Sequence, residues 1–143
     1  NMSSYEYPLI EGRLLLGAMT YHCGVEGYLF WHVNNWKEAS QKTLDCVDTY
    51  YPDWYTKNSI GMPGDGVFLY PAKDSVLPSI RFAQLRDGVE DYEWIKAAEE
   101  KCGKKAVDDC VKVLVPSLTN FSRDPAALRK VRNALGNMIE KRK

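Results

Sequence analysis

The sequence is poor in the residues that build metal sites and disulfide frameworks. It has two histidines and four cysteines, and the cysteines form no CxxC pair, so no zinc-binding spacing is recognisable. We expect Cys23, Cys46, Cys102 and Cys110 to be free and mostly buried thiols. A disulfide between Cys102 and Cys110 could form only if the turn at Gly103 brings the two residues together. We expect no metal ion and no other cofactor.

Long apolar runs and an excess of one charge are also missing. No run approaches the roughly 20 apolar residues of a membrane span, and the start lacks the basic-then-apolar order of a signal peptide. The 19 basic residues balance 19 acidic ones, so nothing in the charge favours nucleic acid. We therefore expect neither a membrane nor a nucleic acid as partner. Asn1 precedes Met2, so an upstream region or a leader could be missing.

The residues that are present indicate one domain or a piece of one. The chain has 143 residues, which is enough to bury a core and too few for most complete barrel enzymes. Residues 9–23 are apolar on most faces and stop before Gly24, which predicts a buried helix with a glycine cap. The apolar and aromatic run that follows predicts a buried strand over 27–34. A helix, a glycine and a strand in this order indicate an α/β fold, predominantly helical.

The rest of the chain alternates between irregular and helical patterns. Residues 37–66 have the Pro, Gly, Asp and Asn content of a long loop that could hold a short helix, and 67–70 predict a short strand. Three helices are expected after that: over 79–102, over about 104–115, and from Asp124 as N-cap, with Pro125 at the first position, to the basic end.

The stretch RDGVEDYEW, residues 86–94, raises the question of a catalytic acid pair. Its carboxylates Asp87, Glu90 and Asp91 share one face of the predicted helix, whereas the apolar stripe through Leu85, Val89, Tyr92 and Ile95 lies to the other side. This arrangement favours a solvated or salt-bridged surface, with Arg86 near Glu90 and Glu93 near Lys96.

Two residues of the same helix point towards closer packing. Gly88 is costly in a helix interior and lies on the stripe side, which suggests that another backbone packs close to it. Arg81 is also directed inward, and an inward arginine requires a buried carboxylate or an anionic or polar ligand.

Three separated motifs resemble one enzyme family. The strings EGYLFWHVNNW, GDGVFLYP and LPSIRFAQLRDGVEDYEW resemble, in this order, the C-terminal part of the catalytic domain of glycoside hydrolase family 123 and the related domain-of-unknown-function family 4091. The resemblance covers roughly residues 9–100. It implies the last portion of a (β/α)8 barrel in residues 1–103, with 104–143 as a helical tail packed on it in one structural unit. The seventh helix, eighth strand and eighth helix would be 9–23, 27–34 and 79–102.

The resemblance also implies where a glycan would bind. Barrel sites lie at the carboxyl ends of strands. The residues expected to face a sugar are Trp31, Asn34, Asn35, Trp36, Asp65, Tyr70 and Arg81. Tryptophan stacks on pyranose rings and asparagine amides bond hydroxyls, although core packing is the alternative for Trp31 and Trp36. His32 should point away from Trp31 and pack.

No catalytic residue can be assigned to this chain. The family resembles hexosaminidases that use the 2-acetamido oxygen of the sugar as nucleophile, with an Asp-Glu pair on a middle strand. Adjacent acids occur here only as Glu90-Asp91, Glu99-Glu100 and Asp108-Asp109, all on predicted helices. The resemblance implies that the full-length glycosidase acts on glycans that contain N-acetylhexosamine. We expect this chain to be inactive by itself, because it lacks the catalytic Asp-Glu pair.

Two hypotheses follow for the whole chain. In the first, a barrel section with an open edge associates with a copy of itself or with a missing N-terminal part. In the second, the chain is a non-catalytic helical interaction or scaffold module. The resemblance favours a bacterial, extracytoplasmic setting, while the sequence alone leaves the compartment unknown.

Overall fold

The architecture comes from a computed structural model that describes residues 7–35, 64–71 and 75–140. Trp36, the loop and possible short helix predicted within 37–63, and Cys46 lie outside the described residues. The chain divides into two compact units: a first unit of Asn1–Leu9 with Leu29–Ala83, and a second unit of Ile10–Tyr28 with Gln84–Lys143. The described part is predominantly helical and has a two-stranded antiparallel sheet.

Five helices and two strands are described, with one π-helical segment at Leu15–Met19. In chain order they are α1 (Leu9–Leu14), α2 (Thr20–His22), β1 (Leu69–Pro71), β2 (Val76–Pro78), α3 (Ile80–Cys102), α4 (Lys104–Val111) and α5 (Pro125–Glu140). None of the described helices is long and apolar enough to cross a membrane.

The small sheet of the first unit is antiparallel. Leu69 pairs with Pro78 and Tyr70 with Leu77, so the short strand predicted over 67–70 is found slightly later, at Leu69–Pro71. Val67, two residues before β1, forms an isolated antiparallel bridge with Asn34.

The buried strand predicted over 27–34 is wrong for most of its length. Residues 25–33 have no regular secondary structure, and Leu29 is 89% exposed. A strand needs a neighbour that takes up its backbone N–H and C=O groups. Among the described residues, 66–69 supply such partners, and they do so only for Val33, Asn34 and Asn35. The stretch therefore pairs only at its end.

The helix predicted over 9–23 is confirmed as a continuous helical segment from Leu9 to His22 with a π-helical middle. Gly24 ends it with φ +62°, donating its N–H to the carbonyl of Tyr21 at 3.1 Å. The N–H of Val25 donates to the carbonyl of Thr20 at 3.0 Å. Glycine is suited to this left-handed position because it has no Cβ.

The long helix predicted over 79–102 is confirmed as α3, but its buried face differs from the predicted stripe. Ser79 begins it, with its Oγ accepting the N–H of Phe82 at 3.1 Å. Val89, expected in the core, is 50% exposed. Of the predicted stripe only Ile95 is fully buried, and the other residues that α3 buries after its first turn are Gly88, Asp91 and Ala98.

The two tail helices are also confirmed, with one changed boundary. The helix expected to reach about 115 ends at Val111 and a turn follows it. Asp124 caps α5, since its carboxylate accepts the N–H groups of Ala126 and Ala127 at 2.8 and 3.3 Å. The apolar core of the tail consists of Val107, Val111, Leu114, Val115, Leu128, Val131 and Leu135.

The cysteines described are all free thiols: Cys23, Cys102 and Cys110. Burial raises the pKa of the Cys110 thiol above its ordinary value. Cys23 and Cys102 are exposed, so the prediction of buried thiols is wrong for these two.

Candidate functional site

The predicted sugar-facing residues that the structure describes all belong to the first unit, and they meet around the turn at residues 64–67. Trp31 is 45% exposed, while Asp65 is only 4% exposed. The indole Nε1 of Trp31 donates a long hydrogen bond to Oδ1 of Asp65, at 3.4 Å. A half-exposed aromatic ring thus has its one polar atom directed at a buried carboxylate.

The turn itself depends on two glycines. Gly64 and Gly66 have φ values of +80° and +74°, in the left-handed region that favours glycine. The Trp31 ring lies against Gly66, where an added Cβ would be only 2.7 Å from its Cζ2 atom. The carbonyl of Gly66 accepts the N–H of Asn35 at 2.9 Å, which joins the turn to the segment that carries Trp31.

Arg81, in the first turn of α3, is 6% exposed, as expected for an inward arginine. Its Nη1 donates to the carbonyl of Gly64 at 2.8 Å, and its Nη2 donates to the carbonyl of Val67. Nη2 also lies 3.5 Å from the Tyr70 hydroxyl, and the guanidinium carbon lies 5.4 Å from the centre of the Phe68 ring. Arg81 therefore bonds the backbone at both ends of the glycine turn.

The remaining predicted site residues flank this turn. Asn34 is exposed and pairs with Val67, Asn35 is half-buried, and Tyr70 is half-buried within β1. The part of the cluster that is described thus brings together an aromatic surface, two side-chain amides and a phenol. Such groups can stack on a sugar ring and bond its hydroxyls.

The expectation for His32 is wrong. It was expected to pack on the far side of a strand, but residues 31 and 32 are not in a strand and His32 is exposed. Its ring instead meets the Trp31 ring edge-on, with centroids 5.4 Å apart. Side-chain alternation holds only where the backbone is extended and paired.

The sequence reasoning missed Gly64, Gly66 and Phe68 as parts of this cluster. The string GDG was a usable signal, because two glycines within three residues indicate backbone conformations with positive φ. Phe68 gave no such signal, since its contact with Phe30, at 4.9 Å between ring centres, depends on tertiary packing.

The acidic run of α3 has a structural role in the second unit. Arg86 lies 3.8 Å from Glu90, as expected, and also bonds Asp87 at 2.7 Å. Lys96 pairs with Glu99 at 2.9 Å, so the expected pair with Glu93 is wrong. The described residues contain no group of three or more His, Cys, Asp or Glu side chains that could hold a metal ion.

Asp91 departs furthest from the expected solvated face. It is 6% exposed and accepts Arg13 Nε at 2.5 Å and Nη2 at 3.0 Å. Arg132 approaches the same carboxylate at 2.8 Å. The hydrogen bond that Arg13 donates to Asp91 raises the pKa of Arg13 above its ordinary value. A buried carboxylate held by two arginines is suited to joining the segments that carry them.

Residues 5–98 match the family model described as glycoside hydrolase 123, catalytic domain. No curated protein matches the chain.

Proposed function

Since the chain belongs to the glycoside hydrolase 123 family, we propose that it is the C-terminal section of a glycosidase barrel whose first unit binds a glycan. The family membership supports a function of the glycoside hydrolase kind. The substrate class we propose, a glycan containing N-acetylhexosamine, and the substrate-assisted mechanism both follow from the resemblance of the three motifs.

The chain's own contribution to this function would be binding rather than acid/base chemistry. Its adjacent acidic pairs, Glu90-Asp91, Glu99-Glu100 and Asp108-Asp109, all lie on α3 or α4. Asp91 is bonded to arginines, and the other pairs lie on helices of the second unit. We therefore propose that the catalytic Asp-Glu pair belongs to a part of the barrel outside this chain.

The observation that carries the proposal is the environment of the Trp31 side chain. Trp31 is 45% exposed, yet its ring lies against Gly66 and its indole nitrogen donates to Asp65. A ring held in one orientation loses little conformational entropy when a sugar stacks on it. Asn34, next to it along the chain, is exposed and can bond sugar hydroxyls.

The proposal is tested by titrating a soluble N-acetylhexosamine oligosaccharide against the intrinsic fluorescence of the full chain. Trp31→Ala should weaken binding about tenfold, the loss of one aromatic stacking contact. Trp94→Ala is the matched control, because Trp94 is 39% exposed but lies on α3 in the second unit. It should leave the affinity unchanged.

Two results would reject the glycan-binding role of this site. One is a wild-type chain that does not respond to any N-acetylhexosamine oligosaccharide. The other is equal affinity of Trp31→Ala and Trp94→Ala. Retained binding by Trp94→Ala alone, with loss in Trp31→Ala, would support it.

We also propose that the chain associates through apolar surface of the second unit. Val25, Tyr28 and Val89 are 44%, 45% and 50% exposed. With Leu16, Thr20 and Tyr92 they line a groove of about 190 Å³. Exposed apolar surface of this kind commonly marks a contact with another polypeptide.

A further inference from the structure

We infer that Gly66 and Arg81 are positioning residues that set the orientation of the Trp31 ring. Their effect on glycan binding rests on the function proposed above, whereas their effect on the ring does not. A Cβ on Gly66 would lie 2.7 Å from Cζ2 and 3.1 Å from Cη2 of Trp31, and 3.2 Å from Cβ of Asn35. Carbon atoms in contact are normally 3.5–4.0 Å apart, so only glycine leaves the ring where it is.

The backbone at Gly66 is also held in place. Its φ of +74° belongs to the left-handed region, and its carbonyl accepts the N–H of Asn35 at 2.9 Å. The ring therefore rests on a piece of backbone whose conformation and hydrogen bonding are both fixed. A side chain at this position would have to displace either the ring or the turn.

Arg81 fixes the same turn from its two ends. Its guanidinium donates to the carbonyls of Gly64 and Val67, which stand on either side of Gly66. A guanidinium is planar and rigid, so two bonds from it set the separation of the two carbonyls. Because Arg81 is 6% exposed, its influence on a ligand would pass through the turn rather than through direct contact.

The test separates the clash at Gly66 from ordinary backbone strain. Gly66→Ala introduces both, whereas Gly66→Asn introduces the clash with less strain, because asparagine tolerates positive φ. Gly24→Ala and Gly24→Asn are the matched controls, since Gly24 has φ +62° but, among the described residues other than its chain neighbours, no atom lies within 4 Å of an added Cβ. Arg81→Lys keeps the charge and removes the fork that bonds two carbonyls.

The first readout is the indole Nε1–H resonance of Trp31 in a nitrogen-15 correlation spectrum, identified by its loss in Trp31→Ala. Both Gly66 variants and Arg81→Lys should shift or broaden this resonance, and both Gly24 variants should leave it in place. The second readout is oligosaccharide affinity, which should fall about tenfold in the Gly66 variants. The third is thermal stability: if Gly66→Ala folds poorly, adding Trp31→Ala should raise its Tm, because the clashing ring is gone.

An unchanged Trp31 resonance in Gly66→Asn and Arg81→Lys would overturn the inference. So would a Tm of Gly66→Ala that Trp31→Ala does not raise. A wild-type chain that binds no oligosaccharide would instead reject the proposed function, while the resonance and the double variant would still decide the positioning role.

Discussion

Asp91 illustrates how much one residue's role depends on its surroundings. The sequence places it with Asp87 and Glu90 on a helix face that is normally exposed to solvent. In the second unit it is instead buried between Arg13 and Arg132, from segments before and after α3 in the chain. Removing one partner of a buried ion pair leaves the others desolvated without compensation.

Asp91→Ala should therefore destabilise the chain by about 3 kcal/mol, at the low end for buried pairs, because Arg132 is 30% exposed. Urea denaturation of wild type and variant measures this loss. Asp109→Ala is the control, since it removes the pair of Asp109 with Lys105, whose side chains are 58% and 91% exposed. A loss in Asp91→Ala no larger than in the control would contradict the structural role.

At the scale of elements, two helical segments approach each other through glycine. A Cβ on Gly88 of α3 would lie 2.5 Å from the carbonyl oxygen of Arg13 and 3.1 Å from Cβ of Leu16. A Cβ on Gly17 would lie 3.1 Å from the carbonyl oxygen of Gly88. The expectation that another backbone packs close to Gly88 is therefore confirmed. Only glycine lets the two backbones lie this near.

Gly88→Ala should destabilise the chain although alanine is the better helix former. The propensity gain is roughly 1 kcal/mol, whereas overpacking against a backbone carbonyl costs about 1–3 kcal/mol, so the net loss should be up to about 2 kcal/mol. Gly136→Ala in α5 is the control, because its Cβ would meet only the end of the Trp94 ring, at 3.1 Å. Trp94 is 39% exposed and can shift, so Gly136→Ala should be neutral or stabilising.

Urea denaturation of both variants distinguishes these cases. Equal or higher stability of Gly88→Ala would show that the two helices can separate at no cost. A glycine at position 88 would then not be required for the packing of the two helices.

At the scale of the whole molecule, the groove around Val89 presents exposed apolar side chains. The apolar stripe of α3 that the sequence predicts for a core includes Val89, which is half exposed. Val25 and Tyr28 are exposed beside the same groove. A chain with this surface should associate with a second copy as concentration rises.

Light scattering should give a mass above the 16.3 kDa of one chain at high concentration. Val89→Arg should return the mass towards that of one chain, because a charge in an apolar contact is costly to desolvate. Val113→Arg is the control, since Val113 is 64% exposed and does not line the groove. A mass of one chain at every concentration would contradict self-association.

The sequence by itself determined the features that depend on a few neighbouring residues. Gly24 ends the first helical segment, Asp124 and Pro125 begin α5, and the residues around 79 and 103 bound α3. Each of these is set by local backbone conformation or by a side chain that bonds a nearby N–H. The three motifs were likewise enough to identify the family, which the match over residues 5–98 confirmed.

Only the tertiary structure decided which surfaces meet. It buried Asp91 and exposed Val89 on one helix, left residues 25–33 without a strand, and seated Trp31 on Gly66. Spacing along a helix says which side chains share a face, but the face that is buried depends on what approaches it. In α3 the buried face is the one that carries Gly88 and Asp91. The residues that contact them there, among them Arg13 and Arg132, lie far from α3 in the sequence.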